Sequence, residues 1–200
     1  MIFTKIQMEV LKETKEYVKD YMDGLNDISH DYSHIKLVIR YSMRIAKMEG
    51  IRNSRSLFHI TMGALLHDIG DHKYSNENQV KVLRKFLRKF RNLKRYDKEE
   101  IIRIASNVSL SKEDGKMRNR KLDVVKDADR INSLGAIGIM RYVSYNIINN
   151  ERPSFKEIIG NIRRRTRKIM RHLRTKSGRE IARKHQNLVS LFLNNYRDFS

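Results

Sequence analysis

The sequence predicts an all-α protein, and three observations carry that prediction. Pro occurs once in 200 residues, at Pro153, so almost nothing interrupts a helix. No run alternates apolar and polar residues with the β-branched bias of a half-buried strand. Apolar residues recur instead at helical spacing, as Leu83, Phe86, Leu87, Phe90 and Leu93 do.

Taken in chain order, the first helix is expected over 5–22 and stops at Asp23-Gly24. The second, over 34–49, stops at Gly50, and the third, over 55–69, at Gly70. Glycine supplies the backbone conformations that end helices. A fourth helix is expected over 76–91 and a fifth over 97–108. The stretch 109–120, SLSKEDGKMRNR, with Asp114-Gly115 inside it, reads as the most loop-like part of the chain. Helices over 120–130 and 133–149 follow, the latter stopping before Pro153. Ser154 is placed to cap an eighth helix, 154–174, with Glu157 three residues on as its capping-box partner. Ser177-Gly178 separates it from a ninth, 178–197. Connections are short and neither a linker nor a repeat is visible, so residues 1–200 read as one compact α domain.

Composition bounds the function. Charged residues make up 33% and hydrophobic residues 40%, a folded composition rather than a disordered one. No apolar run reaches the roughly 18–20 residues that span a bilayer. The amino-terminal MIFTKIQMEVLKETKEYVKD carries charge through its middle and does not read as a signal peptide. There is no Cys, which removes disulfides, thiolate metal sites and Cys nucleophiles. The expectation is an intracellular, cytoplasmic protein without membrane contact, in which His and carboxylates hold any metal.

Lys plus Arg number 43 against 23 Asp plus Glu, a net charge of +20. Two segments, 81–98 and 161–185, hold eighteen of the surplus charges. Both also carry apolar stripes, the second through Ile158, Ile159, Ile162, Ile169, Met170 and Leu173. Each is either a core-facing helix with a solvated basic face, or a surface for polyphosphate or nucleic acid.

Seven His direct attention to His beside carboxylate. HDYSH (30–34), LLHDIGDHKY (65–74) and, much later, VVKDADRINSLGAIGIMR (124–141) stand out. MGALLHDIG (62–70) reads as an apolar helix whose buried end carries His67 and Asp68. An ionised Asp there is costly unless paired or metal-bound. The alternative is an ordinary helix end, with His favouring the dipole and Asp capping a loop. His nitrogen with carboxylate oxygen suits Mn, Fe, Co, Ni or Zn, better than Ca and not Cu(I).

At these residues the chain resembles the HD superfamily of metal-dependent phosphohydrolases, whose signature is a His, a His-Asp pair and a distant Asp. It is most similar to the small single-domain branch, with its HDxxH, ALLHDI-D-K-[FY] and DADRL-x-x-GAIGI-x-R segments. Here these are HDYSH, ALLHDIGDHKY and DADRINSLGAIGIMR. The segment 170–193 looks like the T-x-x-G-[RK]-x-[LI]-A stretch of that branch, and SNVSLSK (106–112) its Ser-Phe stretch, with Leu110 for Phe.

The resemblance implies the all-helical HD bundle and a single divalent ion held by His34, His67, Asp68 and Asp129. It makes Asp127 a supporting or capping acid. It implies that Asp71, three residues beyond Asp68, orients water or protonates a leaving group; the alternative is a loop Asp answering Lys73. Lys73 is a candidate phosphate clamp. Arg130 is a second one, or a structural ion-pair partner of the neighbouring acids. His30 is a candidate second-layer partner or leaving-group donor. His72 has no matching partner in the motif and reads as a surface His, and His59, His172 and His185 show no ligand spacing and read as core or surface residues. The function implied is hydrolysis of a nucleotide-like phosphate ester. The competing expectation is a nucleic-acid-binding or nuclease-like protein using its basic helices.

Overall fold

The computed structural model describes residues 2–25, 32–71, 77–112, 117–149 and 154–197. Regular structure among them is helical throughout: α1 (Lys5–Asp23), α2 (Tyr32–Met48), α3 (Ser54–Leu66), α4 (Gln79–Arg88), α5 (Arg95–Ala105), α6 (Arg120–Asn132), α7 (Gly135–Asn149), α8 (Phe155–His172) and α9 (Lys176–Arg197). Leu110–Lys112 form a short 3-10 turn. Two helices open on capping boxes: Thr4 with Gln7 at α1, and Ser154 with Glu157 at α8, the latter as the sequence predicts.

The middle of the molecule is α3. Every residue from Leu57 to Leu66 is buried, as expected of a helix apolar on all sides. Helices α1, α2, α5 and α6 pack around it. One core lies toward α2, α6 and α9, with Val38, Ile45, Ala64, Val125 and Ala182. A second lies toward α1, α4 and α5, with Val18, Phe58, Leu65, Leu83 and Ile101. A third, smaller core joins α8 and α9 through Ile158, Ile162, Val189 and Leu193. Each buried Leu or Phe of α3 contributes about 2 kcal/mol, so the carboxyl end of this helix is firmly held.

Both basic segments turn their apolar stripes inward: Leu83, Phe86, Leu87, Phe90 and Leu93 are buried, as are Ile158, Ile159, Ile162, Ile169 and Leu173. Lys81, Arg84, Lys85, Arg88 and Lys89 remain exposed on the outer face of α4 and just beyond it, and Arg164, Arg165, Arg167, Lys168 and Arg171 on α8. No helix among the described residues is long and apolar enough to cross a membrane.

Of the expected boundaries that move, two bear on the site. The third helix closes at Leu66, not 69, so His67 is its C-cap and Asp68 lies in the turn beyond. Gly70, with φ of 65°, ends that turn. Gly178 is not a helix break. It lies in the first turn of α9, where a Cβ would come within 2.3 Å of Asp127 Oδ2. The break precedes it, at Leu173–Thr175, where the Leu173 backbone is extended.

Candidate metal centre

Three elements deliver these side chains to one point. His34 sits in the first turn of α2, His67 and Asp68 follow α3, and Asp129 rides on the last turn of α6. The tight packing of α2 on α3 and α6 closes the distance. His34 Nε2 lies 3.3 Å from His67 Nε2, 3.4 Å from Asp68 Oδ2 and 3.4 Å from Asp129 Oδ1. His67 Nε2 lies 3.4 Å from Asp68 Oδ2 and 3.7 Å from Asp129 Oδ1. Ligand atoms about 2.1 Å from one cation stand roughly 3.0–3.5 Å apart in octahedral or tetrahedral arrangement, so the spacing suits a shared ion. The side chains of His34, His67 and Asp68 are almost fully buried, whereas Asp129 is 21% exposed and marks the open side.

The groups behind the ligands set their orientation. His67 Nδ1 donates to the Ala64 carbonyl at 2.9 Å, which fixes the ring with Nε2 facing the cluster. His34 Nδ1 meets Asn132 and, at 2.7 Å, Arg141 Nη1. A guanidinium only donates, so His34 accepts at Nδ1 and turns Nε2–H toward the carboxylates. Burial opposes charge on His67, but Asp68 and Asp129 outweigh it and hold the imidazole up at about 9. Burial likewise opposes ionisation of both acids, yet the two imidazoles hold Asp68 and Asp129 well below the usual carboxylate range.

The remaining acids separate. Asp127, two residues before Asp129, points to the opposite side of α6. It is fully buried and accepts from the Arg174 N–H, the Thr175 N–H and the Thr175 hydroxyl, pinning the turn between α8 and α9. Burial pushes its carboxyl up. Asp71 is 1% exposed; its N–H donates to the Asp68 carbonyl at 3.3 Å, and its Oδ2 faces Lys112 Nζ at 3.3 Å. Arg130 does not face solvent. It is 1% exposed, 3.7 Å from Asp127 Oδ1, and donates to the His172 carbonyl. Of the two readings of Arg130, this burial and the contacts with Asp127 and His172 favour the structural ion pair over the phosphate clamp. His30, His72 and Lys73 lie outside the described residues.

Four side chains near the site received no role from the sequence. Asn132 and Arg141 back His34. Gln79 donates to the His67 and Ile69 carbonyls, and Lys112 bridges Gln79 and Asp71. Arg141 closes the GAIGIMR segment and Lys112 closes SNVSLSK, so motif boundaries carried a faint signal for those two.

A family model of the HD domain matches residues 31–134. Protein L803 of Acanthamoeba polyphaga mimivirus is 31% identical over 145 residues, covering 66% of this chain and 59% of L803, so the match spans under two thirds of that protein. The structure of Bacillus subtilis YpgQ in complex with ADP superposes with a TM-score of 0.79 at 20% identity, over 98% of this chain and 97% of that one. Lin1889 from Listeria innocua superposes with a TM-score of 0.75 at 26% identity, over 96% and 95%. The matched segment contains His34, His67, Asp68 and Asp129, and with it this chain belongs to the HD-domain family.

Proposed function

We propose that the protein is a phosphohydrolase acting on a nucleotide-like phosphate ester, with one divalent transition ion held by His34, His67, Asp68 and Asp129. One atom carries this reading. Asp68 Oδ2 is buried and has no hydrogen-bond partner, yet it stands 3.4 Å from each imidazole Nε2. A buried acceptor left in that state costs about 1–3 kcal/mol, and more when charged, unless a cation takes it. His34, His67 and Asp68 meet the spacing of a metal-binding group, and Asp129 reaches both imidazoles from the open side. The N/O donor set suits Mn, Fe, Co, Ni or Zn. Such an ion, when bound, acidifies water and neutralises phosphoryl charge.

The chain's own groups complete the reading. Asp71, tied to Asp68 through the backbone, orients the attacking water or protonates the leaving group. Lys73 and His30 remain candidate phosphate contacts. Helix α9 packs on α2 and α6, which supports one domain that includes the carboxyl-terminal helices. The ADP in the YpgQ structure supports a nucleotide-like ligand class. A second reading, nucleic-acid binding or a nuclease-like activity on the same scaffold, is favoured by the exposed cations of α4 and α8.

The test is metal analysis of the purified protein together with a Mn²⁺-supplemented screen of nucleotides, cyclic dinucleotides and short single strands. About one equivalent of divalent ion is expected, and the double variant His67→Ala, Asp68→Ala is expected to lose both metal and turnover while staying helical. Turnover that survives in that variant removes the assignment. Nucleic-acid affinity that does not change with salt removes the second reading.

A further inference from the structure

A cation held against the metal-ligand turn stands out from the other charges of the molecule. Lys112, at the end of the Leu110–Lys112 turn, places Nζ 2.6 Å from Gln79 Oε1 and 3.3 Å from Asp71 Oδ2. The Gln79 amide cannot be turned round without loss. Its Nε2 donates to the His67 carbonyl at 2.7 Å and to the Ile69 carbonyl at 3.2 Å, so its oxygen must face the ammonium. Lys112 is thus fixed by two neighbours, each tied directly to the backbone of a ligand. Gln79 holds the carbonyl of His67, and Asp71 the carbonyl of Asp68. An ammonium carries three donors, and these contacts use two of them.

Exposure gives this arrangement a direction. The Asp71 side chain is 2% exposed, while that of Lys112 is 32% exposed. Lys112 is the more exposed member of the pair. A lysine that served only to neutralise Asp71 would not need the second anchor on Gln79, which spends a buried amide on aiming the charge.

We propose that Lys112 binds a non-bridging phosphate oxygen of the substrate beside the metal centre, with Gln79 and Asp71 as the groups that aim it. This rests on the phosphohydrolase reading. It assigns the phosphate-clamp role to a residue that arrives from a distant loop. A compact ammonium suits an anion of variable geometry better than a planar fork does.

The experiment measures binding of phenylphosphonate, a non-hydrolysable monoester analogue, to the Mn²⁺-loaded protein by calorimetry, beside steady-state turnover of phenyl phosphate. Lys112→Met is expected to weaken phosphonate binding and raise KM about 30-fold, the loss of one charged hydrogen bond, with metal content unchanged. Lys112→Arg is expected to recover most of that loss. The double variant Lys112→Met, Asp71→Asn separates binding from charge balance. If Lys112 only offsets Asp71, the double variant regains wild-type phosphonate affinity and the proposal falls. Phosphonate affinity within twofold of wild type in Lys112→Met overturns it as well, as does a metal-loaded wild type that takes up no phosphonate. If Lys112→Met loses its metal or its fold, Lys112→Gln, which keeps a donor, is measured in its place against the same thresholds. A wild type that binds phosphonate through Lys112 but hydrolyses no phosphate ester sinks the enzyme reading and leaves the anion site standing.

Discussion

Helix α3 carries two histidine–carboxylate clusters, and they differ in what their atoms still lack. At its carboxyl end, His67 and Asp68 meet His34 and Asp129 with the Nε2 atoms and carboxylate oxygens converging, and Asp68 Oδ2 has no hydrogen-bond partner. More than two helical turns toward its start, His59 sits 1% exposed in a network that is filled. Its Nε2 donates to Asp97 Oδ1 at 2.7 Å, and its Nδ1 faces Lys121 Nζ at 3.5 Å. Asp97 also takes Arg55 at 2.7 Å, while Glu100 takes Lys121, Arg103 and Asn119. Residue types are alike in the two places. The difference is cations: the His59 network contains its own, in Arg55, Lys121 and Arg103, whereas the other cluster faces its acids with imidazoles. A cluster that supplies its own positive charge is a brace between α3, α5 and α6. One whose counter-charge is a releasable imidazole proton is a receptor for a metal.

That contrast predicts opposite phenotypes for the same kind of substitution. Asp129→Ala should lower metal affinity on the order of a thousandfold, since even the groups behind metal ligands cost roughly 10- to 100-fold. The metal-free protein should lose less urea stability than with Asp97→Ala, because Asp129 is 21% exposed and Asp68 still faces both imidazoles. Retained affinity, measured by competition with a chelating dye, would show that Asp129 is not a ligand. Asp97→Ala should do the reverse: metal affinity unchanged and stability lower by about 3 kcal/mol, as Arg55 and buried His59 lose their shared acceptor. If both substitutions altered metal and stability alike, the distinction between brace and receptor would fail.

How much of this was legible in the sequence depends on the range of the contact. His67 and Asp68 were readable because ten buried positions lead up to them and Gly70 ends the turn. The acids of DADR were harder. Residues two apart on a helix face nearly opposite sides, and only the fold says which side holds α2. Asp127 turns to the α8–α9 junction, and Gly178 is there because that carboxylate passes within 2.3 Å of where its Cβ would be. The sequence reading of Gly178 as a helix break mistook close approach for chain reversal. Arg130 kept two readings for a related reason: beside two acids, burial decides between clamp and brace, and burial is a property of the whole fold. Gln79 and Lys112 left almost no trace, since their partners lie 10 to 41 residues away across loops.

The smallest effect expected is in the pH dependence of the brace. Burial is the largest influence on His59 and lowers its pKa below the ordinary 6.5; the Lys121 ammonium adds to this, and Asp97 opposes it. Geometry agrees, because a proton on Nδ1 would point at that ammonium. The unfolded chain therefore takes up the proton first as pH falls. The contribution of neutral His59 to stability is complete above about pH 6.5 and is lost as pH drops from there through the lowered folded value. Asp97 is shifted the other way for its class, held down by Arg55 and His59 against burial, so its contribution persists until well below that window. Urea midpoints of metal-free protein between pH 7.5 and 5.5 should fall more steeply for wild type than for His59→Gln, whose amide keeps a donor for Asp97 and does not titrate. His185, whose value burial also lowers, is present in both proteins and cancels in the difference. Parallel slopes would mean that His59 is protonated in the folded brace, with Lys121 displaced from Nδ1.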